Sequence, residues 1–358
     1  MARDLATLAP APDILFEQHG TAGIITLNRP KAMNALTHPM VHELSAKLTE
    51  WAKDSSVTRV VIKANAARAF SAGGDIRALY DFGKSGNHAD ALAFWRDEYT
   101  LNALIKRYPK PYVALIDGIA MGGGVGISIH GSHRVAGDRF LFAMPEVGIG
   151  FFPDVGATWF LPRLAGEVGT YCALTGQRLR NADAVPAGVA THYVASSRFA
   201  EVLEALTGAQ SVDSVLNHYS ERLGTGPLAA HRDAIDRLFI GNKVEDIIAA
   251  LDQEAISGSS DAGFAGATAA VIRGKSPLSL KIALSQLRRG KSWSFTDCMR
   301  AEYRIAFRIV YGHDFYEGVR ALIIDKNLAT SWKPPTLAQV TDEEVERHFA
   351  PIEQELVL

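Results

Sequence analysis

Glu146 and Asp154 are the only ionisable side chains in the run AMPEVGIGFFPDVG, residues 143–156. Every other position is apolar, Gly or Pro, and a short apolar run bounded by glycine implies burial. An unpaired ionised carboxylate is costly in such a place. Apolar surroundings also raise its pKa, which suits it to act as base, nucleophile or acid near neutral pH. Asp154 has a competing structural duty, capping a helix over 155–164; Glu146 has no comparable one. A third acid, Glu98, shares a helical stripe with Phe94, Leu101 and Ile105, so it faces the apolar side. There it is either half of a buried ion pair or a third acid facing the site.

Two glycine turns offer complementary chemistry. Phe70-Ser71-Ala72-Gly73-Gly74-Asp75-Ile76 leads into a helix that Asp75 can cap. Asp117-Gly118-Ile119-Ala120-Met121-Gly122-Gly123-Gly124-Val125-Gly126 places three glycines at a helix start, where free N–H groups favour negative charge. A dinucleotide loop is excluded by spacing, because Ile127 stands where a third Gly or Ala belongs. Both corners follow an apolar strand (RVVIK at 59–63 and YVALI at 112–116), so they can meet at one sheet edge. Two N–H donors aimed at one oxygen would stabilise an oxyanion.

Other signals are weaker. Gly126-Ile127-Ser128-Ile129-His130 ends in His and misses the nucleophile-elbow pattern. His130 and His133 lack the spacing of a helical metal site, so both read as structural and no metal is expected. Cys172 and Cys298 read as buried core residues rather than a disulfide or zinc pair.

The elements that must position these groups alternate. Residues 14–16 and 23–27 pattern as paired strands, 37–54 as a helix burying Met40, Leu44, Leu48 and Trp51, and 89–106 as the helix carrying Glu98. This β/α alternation predicts an α/β layer fold. After residue 194 the spacing turns helical, with a helix over 229–251, a linker near 255–263, and a helix start at Ser276-Pro277-Leu278.

Of 358 residues 47% are hydrophobic and 21% charged, with a net charge of −2, which gives ample core and no basic tract for nucleic acid. No segment has the apolar length to span a membrane, and the N-terminus lacks a secretory or transit pattern. The sequence therefore predicts a cytoplasmic protein without membrane partners.

The segments LNRPKAMNAL, AFSAGGDIRALY, KPYVALIDGIAMGGGVGISIHG, FAMPEVGIGFFPDVG, SPLSLKIALSQLRRG and HDFYEGVRALIIDK together resemble the crotonase (enoyl-CoA hydratase/isomerase) superfamily. The glycine loops mark the superfamily. Pro-Glu followed by Phe-Pro-Asp, with the DFYEGVRALIIDK tail, is more similar to its branch hydrolysing 3-hydroxyisobutyryl-CoA in valine catabolism. The resemblance implies a ββα-spiral core with the active site over 1–205, a helical insertion over 206–261, and a C-terminal helical region over 262–358. It implies an acyl-CoA substrate, no separate cofactor since CoA belongs to that substrate, and a trimer or hexamer. Gly74 and Gly123 would form the oxyanion hole, with Glu98, Gly123, Glu146 and Asp154 at the substrate. CoA would lie along Arg29, Ala32, Ala72, Gly74 and Ile76.

One departure separates the branches. The hydratases carry a first glutamate where this chain has Gly126, while Asp154 stands at a position that is small in them. Hydrolysis fits that change better than hydration. A hydratase or isomerase, and a non-catalytic CoA-thioester-binding protein, are the alternatives.

Overall fold

Ala22–Leu27, Arg59–Ala64 and Tyr112–Ile116 are almost continuously apolar because a layer covers each of their faces. In the computed structural model, which describes residues 11–65 and 68–358, they form the middle of a six-stranded sheet. Ile14–His19 pairs antiparallel at one edge; His133–Ala136 and then His192–Tyr193 extend the other edge in parallel.

Three of these strands are each followed by a second, three-residue strand: Ala69–Ser71, Ile119–Met121 and Leu141–Ala143. The short strands lie side by side and parallel in a smaller sheet, completed by Leu179–Arg180 running antiparallel. Parallel neighbours deliver their C-terminal ends to one edge. There Ser71 leads to Gly73-Gly74, Met121 to Gly122-Gly123, and Ala143 to Pro145-Glu146. This corrects the expectation that the glycine corners directly follow RVVIK and YVALI. Strands of three residues are too short to show a period, and the second sheet is invisible in the sequence.

The helix His38–Lys53, capped by the Thr37 hydroxyl, buries Met40, Leu44, Leu48 and Trp51 as the spacing predicts. His88–Lys106 buries Phe94, Glu98, Leu101 and Ile105. On the far face of the large sheet, Phe199–Thr207 and Val212–Tyr219 pack over Ile24, Val61, Val113 and Leu115. Arg232–Leu238 and Val244–Ala255 instead join the main core, so residues 206–261 divide between two cores. The helix expected over 229–251 breaks between these two. The linker near 255–263 is a short turn into the helix Ala262–Arg273.

Ser276 and Ser294 cap the helices Pro277–Gly290 and Phe295–Ile309, which pack behind the 154–160 segment. The helix Asp314–Val319 then widens into a π turn, Arg320–Ile324, closed by Asp325 N–H donating to Arg320 O at 2.8 Å. The chain ends after the helix Asp342–Phe349. Among the described residues no helix is long and apolar enough to cross a membrane.

Candidate active site

The three strand ends of the small sheet open onto a cavity of about 160 Å3. Gly74, Gly123, Glu98, Glu146, Asp154 and Ile323 line it, together with Ala72 and Ile76. Trp95 and Phe151, stacked at 5.3 Å between ring centres, build its apolar wall. Such a volume is well below the roughly 300–1,000 Å3 of pockets for drug-sized ligands and suits a short acyl chain.

The two glycine corners adjoin. A Cβ on Gly73 would sit 3.5 Å from the Gly123 nitrogen, and one on Gly123 would sit 3.1 Å from the Gly74 nitrogen while running into Glu98 Oε1. Gly73 and Gly122 have φ of 109° and 45°, a region that favours glycine, so the turns need this residue type. Among the described residues neither the Gly74 nor the Gly123 N–H donates to any acceptor. Gly123 opens the helix Gly123–Ile129, whose first N–H groups have no partner within the helix.

Four buried carboxylates gather here, three of them lining the cavity with these amides, each pushed up by burial. Glu98 and Glu146 are raised well above the ordinary range, first by loss of water and then by the neighbouring charge of Asp154. Glu98 Oε1 and Glu146 Oε2 are buried without a partner, and a Cβ on Gly122 would lie 3.3 Å from Glu146 Oε1. Glu98 makes no ion pair among the described residues, so of its two expected roles the cavity-facing one is observed. Asp154 accepts from the Tyr99 hydroxyl at 2.8 Å; burial lifts it to about 7, the Tyr99 bond opposing.

The fourth acid, Glu302, went unrecognised in the sequence. Its two oxygens accept from Gly156 N–H at 2.7 Å and Thr158 N–H at 2.9 Å, capping the short helix Ala157–Phe160. Burial places it at about 8 despite these donors. Glu302 thereby does the capping expected of Asp154, which frees the Asp154 carboxyl for the cavity. Cys298, Glu302, Ile305 and Ile309 repeat the spacing of Phe94, Glu98, Leu101 and Ile105, a signal that was present in the sequence.

The turn carrying Asp154 is strained and tied down. Val155 has φ of 52°, an outlier for a β-branched side chain. Strain of this kind costs about 1–3 kcal/mol and persists where the surroundings over-determine it. Here Gln286 Nε2 donates to Pro153 O, His130 Nε2 donates to Val155 O at 2.7 Å, and Gly156 is held by Glu302. Burial lowers His130 to about 3, so it is neutral and structural, as its sequence context suggests.

Arg29 and Ala32 are not in the cavity wall. The Arg29 guanidinium donates to Ala35 O and pairs with Asp13 and Asp75, while Ala32 lies in the turn Pro30–Ala32 beside them. Ala72, Gly74 and Ile76, assigned with them to CoA, do line the cavity. At Gly126 a Cβ would sit 2.8 Å from both Asn102 Nδ2 and Val155 Cβ, so no room remains for a larger side chain.

A profile of the family described as Enoyl-CoA hydratase/isomerase matches residues 22–349. The chain is 45% identical over 352 residues to a Danio rerio protein named 3-hydroxyisobutyryl-CoA hydrolase, mitochondrial, covering 96% of this chain and 90% of that one. It is 45% identical over 349 residues to the Homo sapiens protein of the same name, covering 95% and 89%. Among solved structures it matches one named carnitinyl-CoA dehydratase from Mycobacterium thermoresistibile, with a TM-score of 0.91 at 44% identity over 97% of this chain and 99% of that one. Another, named enoyl-CoA hydratase from Rhodobacter sphaeroides, gives 0.89 at 39% identity over 97% and 100%.

Proposed function

The chain belongs to the enoyl-CoA hydratase/isomerase family, and from that premise we propose that it hydrolyses 3-hydroxyisobutyryl-CoA to 3-hydroxyisobutyrate and CoA. The observation that carries this reading is Asp154, a second buried carboxyl sharing one cavity with Glu146 and the free Gly74 and Gly123 amides.

The Gly74 and Gly123 N–H groups donate to the thioester oxygen and stabilise the charge that forms on it. Glu146, as its anion, either attacks the carbonyl to give a mixed anhydride or takes a proton from the attacking water. Asp154, near 7, is partly protonated at neutral pH; it holds the substrate hydroxyl or gives a proton to the departing thiolate. Glu98 supports the site beside Gly123. The substrate's CoA portion passes Ala72 and Ile76, and the assignment of Arg29 and Ala32 to it stays part of the proposal.

Hydration is the second reading, favoured by the names of the two solved structures. It lacks the glutamate that the hydratases carry at Gly126, and Asn102 and Val155 fill that space. Thiol release from 3-hydroxyisobutyryl-CoA, with no hydration of crotonyl-CoA, is the expected result; hydration without thiol release would overturn the proposal. Oxygen-18 water over repeated turnovers separates the two roles of Glu146, since label in its carboxylate requires the anhydride.

A step in valine catabolism, a cytoplasmic location and a trimer or hexamer belong to the same proposal. The vertebrate relatives are named mitochondrial, so cell fractionation decides the location and light scattering the assembly.

A further inference from the structure

One cluster of side chains outside the cavity has no duty in this chemistry. His38 opens the helix His38–Lys53 and His42 follows one turn later, so both imidazoles project from the same face. Asp97 reaches them from the neighbouring helix His88–Lys106. Nε2 of His38 and Nε2 of His42 each lie 2.6 Å from the same Asp97 oxygen, Oδ2, with the two ring centres 4.3 Å apart. Among the described residues no Lys or Arg pairs with Asp97.

Three ligand atoms from two helices thus converge on one point, all within 4.8 Å of one another. Without a cation, both rings must carry their proton on Nε2 to satisfy a single oxygen. A dication replaces both protons and uses a lone pair from each of the three groups. Two imidazoles and one carboxylate suit first-row transition metals and leave positions open for water, whereas Mg2+ and Ca2+ prefer all-oxygen sets. The His42 side chain is 60% exposed, so an ion can enter from solvent.

We propose that His38, His42 and Asp97 bind one transition-metal dication of the zinc class, which clamps the start of one helix to the middle of the other. This departs from the expectation of no metal, which considered only His130 and His133. The clamp lies behind the reacting groups rather than among them. Asp97 adjoins Glu98, and His38 packs edge-on against Phe94 at 6.0 Å. The Phe94 ring in turn sits 3.1 Å from where a Cβ on Gly74 would be. An ion here steadies the wall behind the Gly74 amide and takes no part in the reaction.

The test uses the full chain stripped of metal by chelation and titrated with ZnCl2 alone. Calorimetry is expected to show one tight equivalent in the wild type that is absent in His42→Ala and Asp97→Asn. The chain has 11 histidines, which bind zinc weakly at the surface, so the difference between variants carries the result. Saturating zinc should raise Tm by about 2–4 °C in the wild type and not in the variants. Co2+ should give visible d–d bands only in the wild type, with affinity rising from Mn2+ through Co2+ and Ni2+ to Cu2+. Equal zinc binding and equal Tm response in wild type and folded variants would overturn the proposal, as would saturation by Mg2+. These readouts do not depend on the thioester reaction, so failure of that assignment leaves them intact.

Discussion

Glu302 and Glu146 are both buried carboxylates in the same neighbourhood, yet they stand in opposite conditions. Glu302 has two backbone N–H donors, one for each oxygen. Glu146 keeps one oxygen buried without any donor, at the edge of a cavity. A buried acid whose lone pairs are met by the chain's own amides holds the backbone in place. One whose lone pairs are left open is waiting for a ligand. Burial and raised pKa do not separate the two; the supply of donors does.

Four measurements press on that contrast, in order of expected effect. Glu146→Gln is expected to lower thioester hydrolysis by about 1,000-fold or more while leaving Tm unchanged or higher, by thiol release and thermal melting. Comparable activity in that variant would remove Glu146 from the chemistry. Gly123→Ala sets a methyl group against Glu98 Oε1 and 3.1 Å from the Gly74 nitrogen, crowding the two donors, with an expected cost on the order of 3 kcal/mol in transition-state stabilisation, read as a fall in kcat. Glu302→Ala leaves the Gly156 and Thr158 amides buried without acceptors. It should therefore lose about 2–3 kcal/mol of folding stability in urea melts, with a smaller loss of activity than at Glu146. The reverse pattern, full stability with no turnover, would erase the distinction.

The smallest effect is in pH dependence. An acid whose pKa is raised in the folded state contributes most to stability below its unfolded pKa, and that contribution is lost as pH rises towards the folded value. For Asp154 the window runs from about 4 to about 7. Asp154→Asn cannot ionise, so its Tm relative to wild type should climb across that window and level off above it. In wild type the rising limb of kcat/KM should lie above the ordinary carboxylate range, because burial holds the proton on Glu146.

Much of the site was legible because its signals are local. An acid inside an apolar run, an acid on an apolar helical stripe, and consecutive glycines before a helix each break a short-range pattern. The large sheet was legible for the same reason, through RVVIK and YVALI. The small sheet was not, since three residues carry no period, although it is what brings Gly74, Gly123 and Glu146 to one edge. Tyr99 and Glu302 were missed for different causes. Tyr99 looks like any core aromatic until its hydroxyl meets Asp154, 55 positions away. Glu302 sits in a stripe like that of Glu98, but nothing in its neighbourhood suggested that the stripe faces the Asp154 turn. Arg29, which the resemblance placed along CoA, is paired with Asp13 and Asp75, and no local pattern in the sequence foretells those two partners.

The π turn at Arg320–Ile324 has a consequence for synthesis. Every other residue lining the cavity comes from the first 154 positions, whereas Ile323 on this turn joins the wall from far later in the chain. A product truncated before position 320 would carry the residues of every strand and of all four buried acids, yet lack this part of the cavity wall. Translation therefore adds the last part of the cavity wall long after the acids and glycines that face it.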